Sequence, residues 1–175
     1  MDDMIRLIEP SIPSLRRYAR ALVGDAAEAD DLVQDCLERA VSRWGQRRRS
    51  GDARSWMFSI LHNLAVSRWR ALRRRGRHLD IDDVAEAHLA DPPTQQGGLL
   101  HADVLRALDR LSPEYRAVLL LVGVEELSYA QTAEVLAAPI GTVMSRLSRA
   151  RARLAQVIAA DGADTDQARH LRRVK

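Results

Sequence analysis

The sequence has few aromatic residues, 4% of 175, and almost no strand-like alternation of apolar and polar positions. Without that alternation, an all-α fold is the expectation. Cys36 is the single cysteine, which excludes a disulfide framework and a cysteine-based zinc site. No apolar run approaches the roughly 18 residues that a membrane-spanning helix needs. The opening stretch MDDMIRLIEP lacks a basic segment followed by an apolar one, so it does not read as a secretory signal. A soluble, cytoplasmic protein with no membrane insertion is expected. Clustered ligand sets are missing as well. Asp80, Asp82 and Asp83 lack the spacing and closing glutamate of a calcium loop. No metal, no cofactor and no catalytic site are therefore expected.

What is present is charge, unevenly placed. The net charge is only +3, and Lys175 is the one lysine. Arginines crowd residues 47–77 and 146–153, while acids crowd residues 25–38. That asymmetry points to a nucleic-acid surface and a separate acidic, protein-facing surface.

The most informative stretch is LSYAQTAEVLAAPIGTVMSRLSRARARLA, residues 127–155. Ser128 offers an oxygen to the free N–H groups of a first helical turn, so a short helix over 129–136 follows. Pro139 interrupts it. Thr142 is the expected cap of a second helix running to about Ala155. Val143, Leu147, Ala150 and Leu154 then form one apolar stripe. Thr142, Ser145, Arg146, Arg149 and Arg153 fall on the other side, and that face carries no acid. Two short helices with an arginine-rich second face describe a helix-turn-helix, whose second helix lies in the major groove of DNA. The plainer alternative is a helical hairpin with a solvated arginine face.

Upstream, the spacing predicts a helix from about Pro13 to Val23, ended by Gly24. Another is expected from about Glu28 to Trp44, with Leu32, Val33, Cys36, Leu37, Ala40, Val41 and Trp44 in its apolar stripe. Opposite that stripe lie Asp31, Gln34, Asp35 and Glu38, read either as a solvated acidic face or as a contact surface. A basic loop, residues 46–52, leads into a helix expected over Trp56–Arg75. Its core side holds Met57, Leu61, Leu64 and Leu72. A second stripe carries Trp56, Ser59, Asn63, Ser67, Arg70 and Arg74. Rings and amides beside arginines suit single-stranded DNA, where bases stack and guanidinium groups meet phosphates. Ordinary core packing is the alternative for Trp56.

These motifs, in this order, resemble the extracytoplasmic-function sigma factors, initiation subunits of bacterial RNA polymerase. Ala29 to Asp35 looks like the family's polymerase-binding helix. Ser55 to Arg70 looks like the helix that opens and reads the downstream promoter element. Residues 127–151 look like its helix-turn-helix for the upstream element. Met144, Thr132, Ala137 and Ser67 depart from the usual lysine, isoleucine, glycine and acid. The resemblance implies core RNA polymerase, promoter DNA and an anti-sigma factor as partners, with Asp31, Gln34, Asp35 and Glu38 at the polymerase contact. It implies domains over 1–77 and 101–160, a linker over 78–100 that reads as flexible, and a frayed tail over 161–175. A free-standing dimeric regulator and an enzyme acting on nucleic acid are the competing readings.

Overall fold

The computed structural model describes residues 2–47, 52–74, 104 and 106–172, and only the backbone of 2, 73 and 161–172. The expected linker over 78–100, the middle of the basic loop and residues 173–175 lie outside the described residues. Every regular element among the described residues is helical.

A short helix α1, Asp2–Ile8, passes through a 3₁₀ turn at Glu9–Ser11 into α2, Ile12–Val23. Pro10 and Pro13 fall in the first turns, where a missing N–H costs nothing. Gly24 closes α2 at φ 84°, its N–H donating to Arg20 O at 2.9 Å. Asp25 then caps α3, Ala26–Ser42, by accepting the Glu28 N–H at 2.7 Å. The helix α4, Ala53–Arg74, begins earlier than the apolar spacing predicts. Asp52 is the reason: its carboxylate accepts the Arg54 and Ser55 N–H groups at 3.1 and 3.2 Å. Leu15, Leu22, Leu32, Cys36, Met57 and Leu61 interlock these three helices with no more than 1% exposure. Phe58 joins them edge-on to Tyr18, at 5.4 Å between ring centroids. Burial pushes the Cys36 thiol up to about 12, which marks it as a packed and inert group.

The second unit starts with helical residues 106–109. Ser112 caps α5, Pro113–Leu119, with proline at the first position. A π-helical turn, Leu120–Val124, follows. Then come α6, Tyr129–Leu136, and the long α7, Ile140–Arg172. Val143, Leu147 and Ala150 of α7 pack against Val118 of α5. This is the apolar stripe expected from the spacing.

Two details differ from the sequence reading. The α7 helix starts at Ile140, and the Thr142 and Val143 N–H groups donate to Pro139 O at 2.9 and 3.1 Å. Thr142 thus sits inside the first turn instead of capping it. At its other end α7 runs on to Arg172, well past the loss of the apolar stripe.

The two units are packed together. Tyr18, Leu22, Phe58 and Leu61 share one buried cluster with Leu121, Leu127 and Val135. Arg116, 6% exposed, reaches across to donate to Leu22 O at 3.2 Å, a carbonyl in the last turn of α2. It also donates to Leu108 O and Asp109 O, at 2.9 and 2.6 Å, and pairs with the Asp109 carboxylate at 3.1 Å.

Candidate nucleic-acid interface

The α7 helix presents the expected polar face. Ser145, Arg149 and Arg153 are exposed, while Thr142 and Arg146 are half-buried. Ser145 Oγ donates to Thr142 O at 3.1 Å, and Arg153 donates to Gln156 at 3.3 Å. The acid-free front and the packed back lie on opposite sides of one helix, as a major-groove helix requires. Ahead of it, Ser128 and Gln131 form a reciprocal capping box: Ser128 Oγ accepts the Gln131 N–H at 3.2 Å, and Gln131 Oε1 accepts the Ser128 N–H at 2.9 Å. The turn between α6 and α7 is made by Ala137 at φ 48°, ψ 45°. This is the left-handed region that glycine occupies without cost.

The polar stripe of α4 is less open. Asn63, Arg70 and Arg74 are exposed. Trp56 is half-buried, edge-on to Trp44 at 6.1 Å, with Arg47 over the Trp44 ring at 4.7 Å. Trp56 therefore has both a packing role and an available edge. A cleft of about 450 Å³ is lined by Arg6, Leu7, Pro10, Arg47, Asp52, Ala53 and Arg54. His62, on the same helix, shares a 3.1 Å hydrogen bond with the buried Tyr18 hydroxyl. Burial, and then the charge of Arg146, push His62 down to about 4, so its ring is neutral near pH 7.

On α3, Asp31, Gln34 and Glu38 are exposed, with Gln34 donating to Glu38 at 3.1 Å. Asp35 is different. It is half-buried and pairs with Arg68 of α4 at 2.8 Å, while the same guanidinium donates to Glu28 O at 3.3 Å. Helical periodicity groups Asp35 with Asp31 but cannot show a partner 33 residues away. Glu125 also escapes a sequence reading. It is the one buried acid among the described residues, at the end of an apolar run, and its partners Arg17 and Arg54 lie 108 and 71 residues away.

Residues 8–62 match the family model described as the Sigma2 domain of PhyR, and residues 101–154 match Sigma-70, region 4. Over 154 residues the chain is 36% identical to the ECF RNA polymerase sigma factor EcfG of Rhodopseudomonas palustris, covering 88% of this chain and 84% of that one. The chain belongs to the extracytoplasmic-function sigma factors. As a sigma factor it serves in the initiation of transcription by RNA polymerase. The RNA polymerase sigma-E factor of Streptomyces coelicolor is 32% identical over 154 residues, 86% of this chain and 83% of that one. Among solved structures, it is similar to the sigma factor RpoE in complex with the anti-sigma factor NepR from Bartonella quintana. That match has 32% identity and a TM-score of 0.74, and covers 92% of this chain and 99% of that one. The sigma factor also resembles CnrH in complex with the cytosolic domain of CnrY, at 25% identity and a TM-score of 0.68, covering 90% and 88%. No helix among the described residues is long and apolar enough to cross a membrane.

Proposed function

We propose that this sigma factor divides its work among three helix faces. The α7 face of Thr142, Ser145, Arg146, Arg149 and Arg153 reads the upstream promoter element as duplex. The α4 stripe of Trp56, Asn63, Arg70 and Arg74 meets the downstream element once it opens. The α3 face of Asp31, Gln34, Asp35 and Glu38 docks on core polymerase. The observation that carries the reading is the acid-free arginine face of α7, opposite a stripe whose Val143, Leu147 and Ala150 are at most 3% exposed. Phosphate contacts then supply most of the DNA affinity, and a few base-edge contacts supply the choice of sequence. The Trp44–Trp56 pair, with Arg47 over the Trp44 ring, supports the role of α4, since rings take bases and guanidinium groups take phosphates.

In this reading the domains span 1–77 and 101–160, joined by a linker over 78–100. The protein has no catalytic site of its own and works in the cytoplasm beside its polymerase. An anti-sigma factor controls it. Of two similar structures, the sigma factor RpoE was solved with the anti-sigma factor NepR and CnrH with the cytosolic domain of CnrY, and the first of these supports that control.

The test is transcription from a promoter library by core polymerase, with and without the protein. A defined set of promoters transcribed only in its presence is the expected result. Failure of the free protein to bind core polymerase, with no inhibitor present, would overturn the reading.

A further inference from the structure

The face that α7 offers to DNA changes character along its length. No residue from 135 to 145 is charged, and the arginines of the face begin at Arg146. The early part is apolar instead. Ile140 and Met144 sit one turn apart and are 50% and 52% exposed. Scattered exposed apolar side chains are ordinary, but these two adjoin each other and the exposed Ser145 and Arg149. They lie outside the stripe of Val143, Leu147 and Ala150 that packs α7 against Val118. The fold thus leaves their apolar surface in water at the end of the helix that leads into the groove.

The neighbours of Met144 are short. Gly141, Ser145 and Ser148 are exposed around it. A Cβ added at Gly141 would meet nothing within 4 Å, so the space there is open. Ser145 donates its hydroxyl proton to Thr142 O at 3.1 Å, which leaves its oxygen only as an acceptor. Met144 is therefore the longest side chain in this part of the face. Being unbranched, it can follow the contour of a groove. The acid-free arginines that follow on the same face, Arg149 and Arg153, suit a polyanion and not an apolar protein surface as the occupant.

The N-terminal residues of a recognition helix meet base edges. An uncharged side chain without a strong donor or acceptor cannot choose among hydrogen-bonding groups. It can choose the C5 methyl of thymine, the apolar group that the major groove displays. We propose that Met144, supported by Ile140, reads the C5 methyl of a thymine in the upstream element and so fixes a position that the arginines do not. This deepens the duplex-reading role of α7 given above and rests on it. Contact with the methyl takes apolar surface of both partners out of water. A cytosine in the same place brings its amino group instead, and Met144 would strip that group of water without replacing the bond.

Uracil tests this directly, because it is thymine without that methyl and keeps the same hydrogen-bonding edge. A promoter selected from the library is remade with each thymine of its upstream element replaced singly by deoxyuracil, on either strand. Holoenzyme assembled from core polymerase and the full-length chain is titrated onto each duplex. The wild type should lose affinity about four-fold at one position, the effect of a single methyl group. Met144→Ala should bind thymine and uracil alike at that position. Met144→Lys should lose the preference too, and its binding should grow steeper in salt as a phosphate contact is gained. Both variants should melt as the wild type does, since the side chain is exposed. Equal binding of thymine and uracil at every position by the wild type would overturn the proposal; a patch that serves a protein partner gives that result. A preference that survives in both variants would overturn it as well. If scrambling the whole upstream element leaves wild-type binding unchanged, the reading role of α7 has failed, and the methyl contact goes with it.

Discussion

The two units handle their irregular positions in opposite ways. In the first, the buried hydroxyls of Ser14 and Ser55 are bonded at 2.8 Å, to Ser11 O and Asp52. Its one described residue at positive φ is Gly24, which bears no penalty there. In the second unit, positive φ falls on Glu126 and Ala137. Thr132 is fully buried, and its hydroxyl is the one buried side-chain polar atom among the described residues without a partner. The second unit also carries the π-helical turn. The departures from ideal geometry thus gather in the half that bears the helix-turn-helix, and they lie at its turn and at its contact with the first unit. The first unit is built as a platform, whereas the second retains strain where it has to bend around a partner.

The largest expected effect sharpens the functional side of that contrast. Asp31→Arg leaves the platform folded, because the residue is exposed and surface changes usually alter stability by less than about 0.5 kcal/mol. It should nevertheless abolish capture by core polymerase, since like charges brought together across an interface cost on the order of several kcal/mol. Asp35→Arg is a poorer probe, because it also sets a second arginine against Arg68. Wild-type affinity of Asp31→Arg for core polymerase would remove the docking role from α3.

Arg149→Ala is the counterpart in the second unit. It should weaken duplex binding by about 1–3 kcal/mol and relax choice at one position if the guanidinium reads a base edge. A uniform loss across all sequences would assign it to phosphate. Unchanged binding on every duplex tried would break the assignment of α7.

The next two effects concern stability. Thr132→Val replaces the orphaned hydroxyl with a methyl group of nearly equal volume. Melting should show a gain of about 1–2 kcal/mol, because the buried oxygen loses its water and gains nothing in return. Destabilisation would mean that the hydroxyl is satisfied in solution, and the contrast between the units would weaken. Ala137→Gly has the smallest expected effect. It relieves a left-handed alanine but adds freedom to the unfolded chain, for a net gain of about 1 kcal/mol or less. A loss of stability from this change would show that the turn does not hold the left-handed geometry.

Much of this could be read along the chain because it depends on near neighbours. The apolar stripe of α7 needs only the helical repeat, and Val143, Leu147 and Ala150 are buried as that repeat demands. Gly24, Ser112 and Ser128 end or begin helices through bonds to backbone groups a few residues away. The acid-free face of α7 and the acid-rich face of α3 follow from the same repeat. Local rules still misplaced the start of α4, where Asp52 is a stronger cap than the apolar spacing suggests, and the start of α7, where Thr142 lies one turn too late.

The sequence by itself determined the helices, their polar and apolar faces and, through the order of its motifs, the family. Only the tertiary structure decided which charged side chains are free. Asp31 and Asp35 are equivalent on a helical wheel, yet Arg68 claims one and leaves the other exposed. Glu125 reads as one acid among many, yet it is sealed between arginines from two other helices. The reason is physical. A helix face is set by bonds that span four residues, whereas an ion pair is set by which distant surfaces meet, and no periodicity within one segment records that meeting.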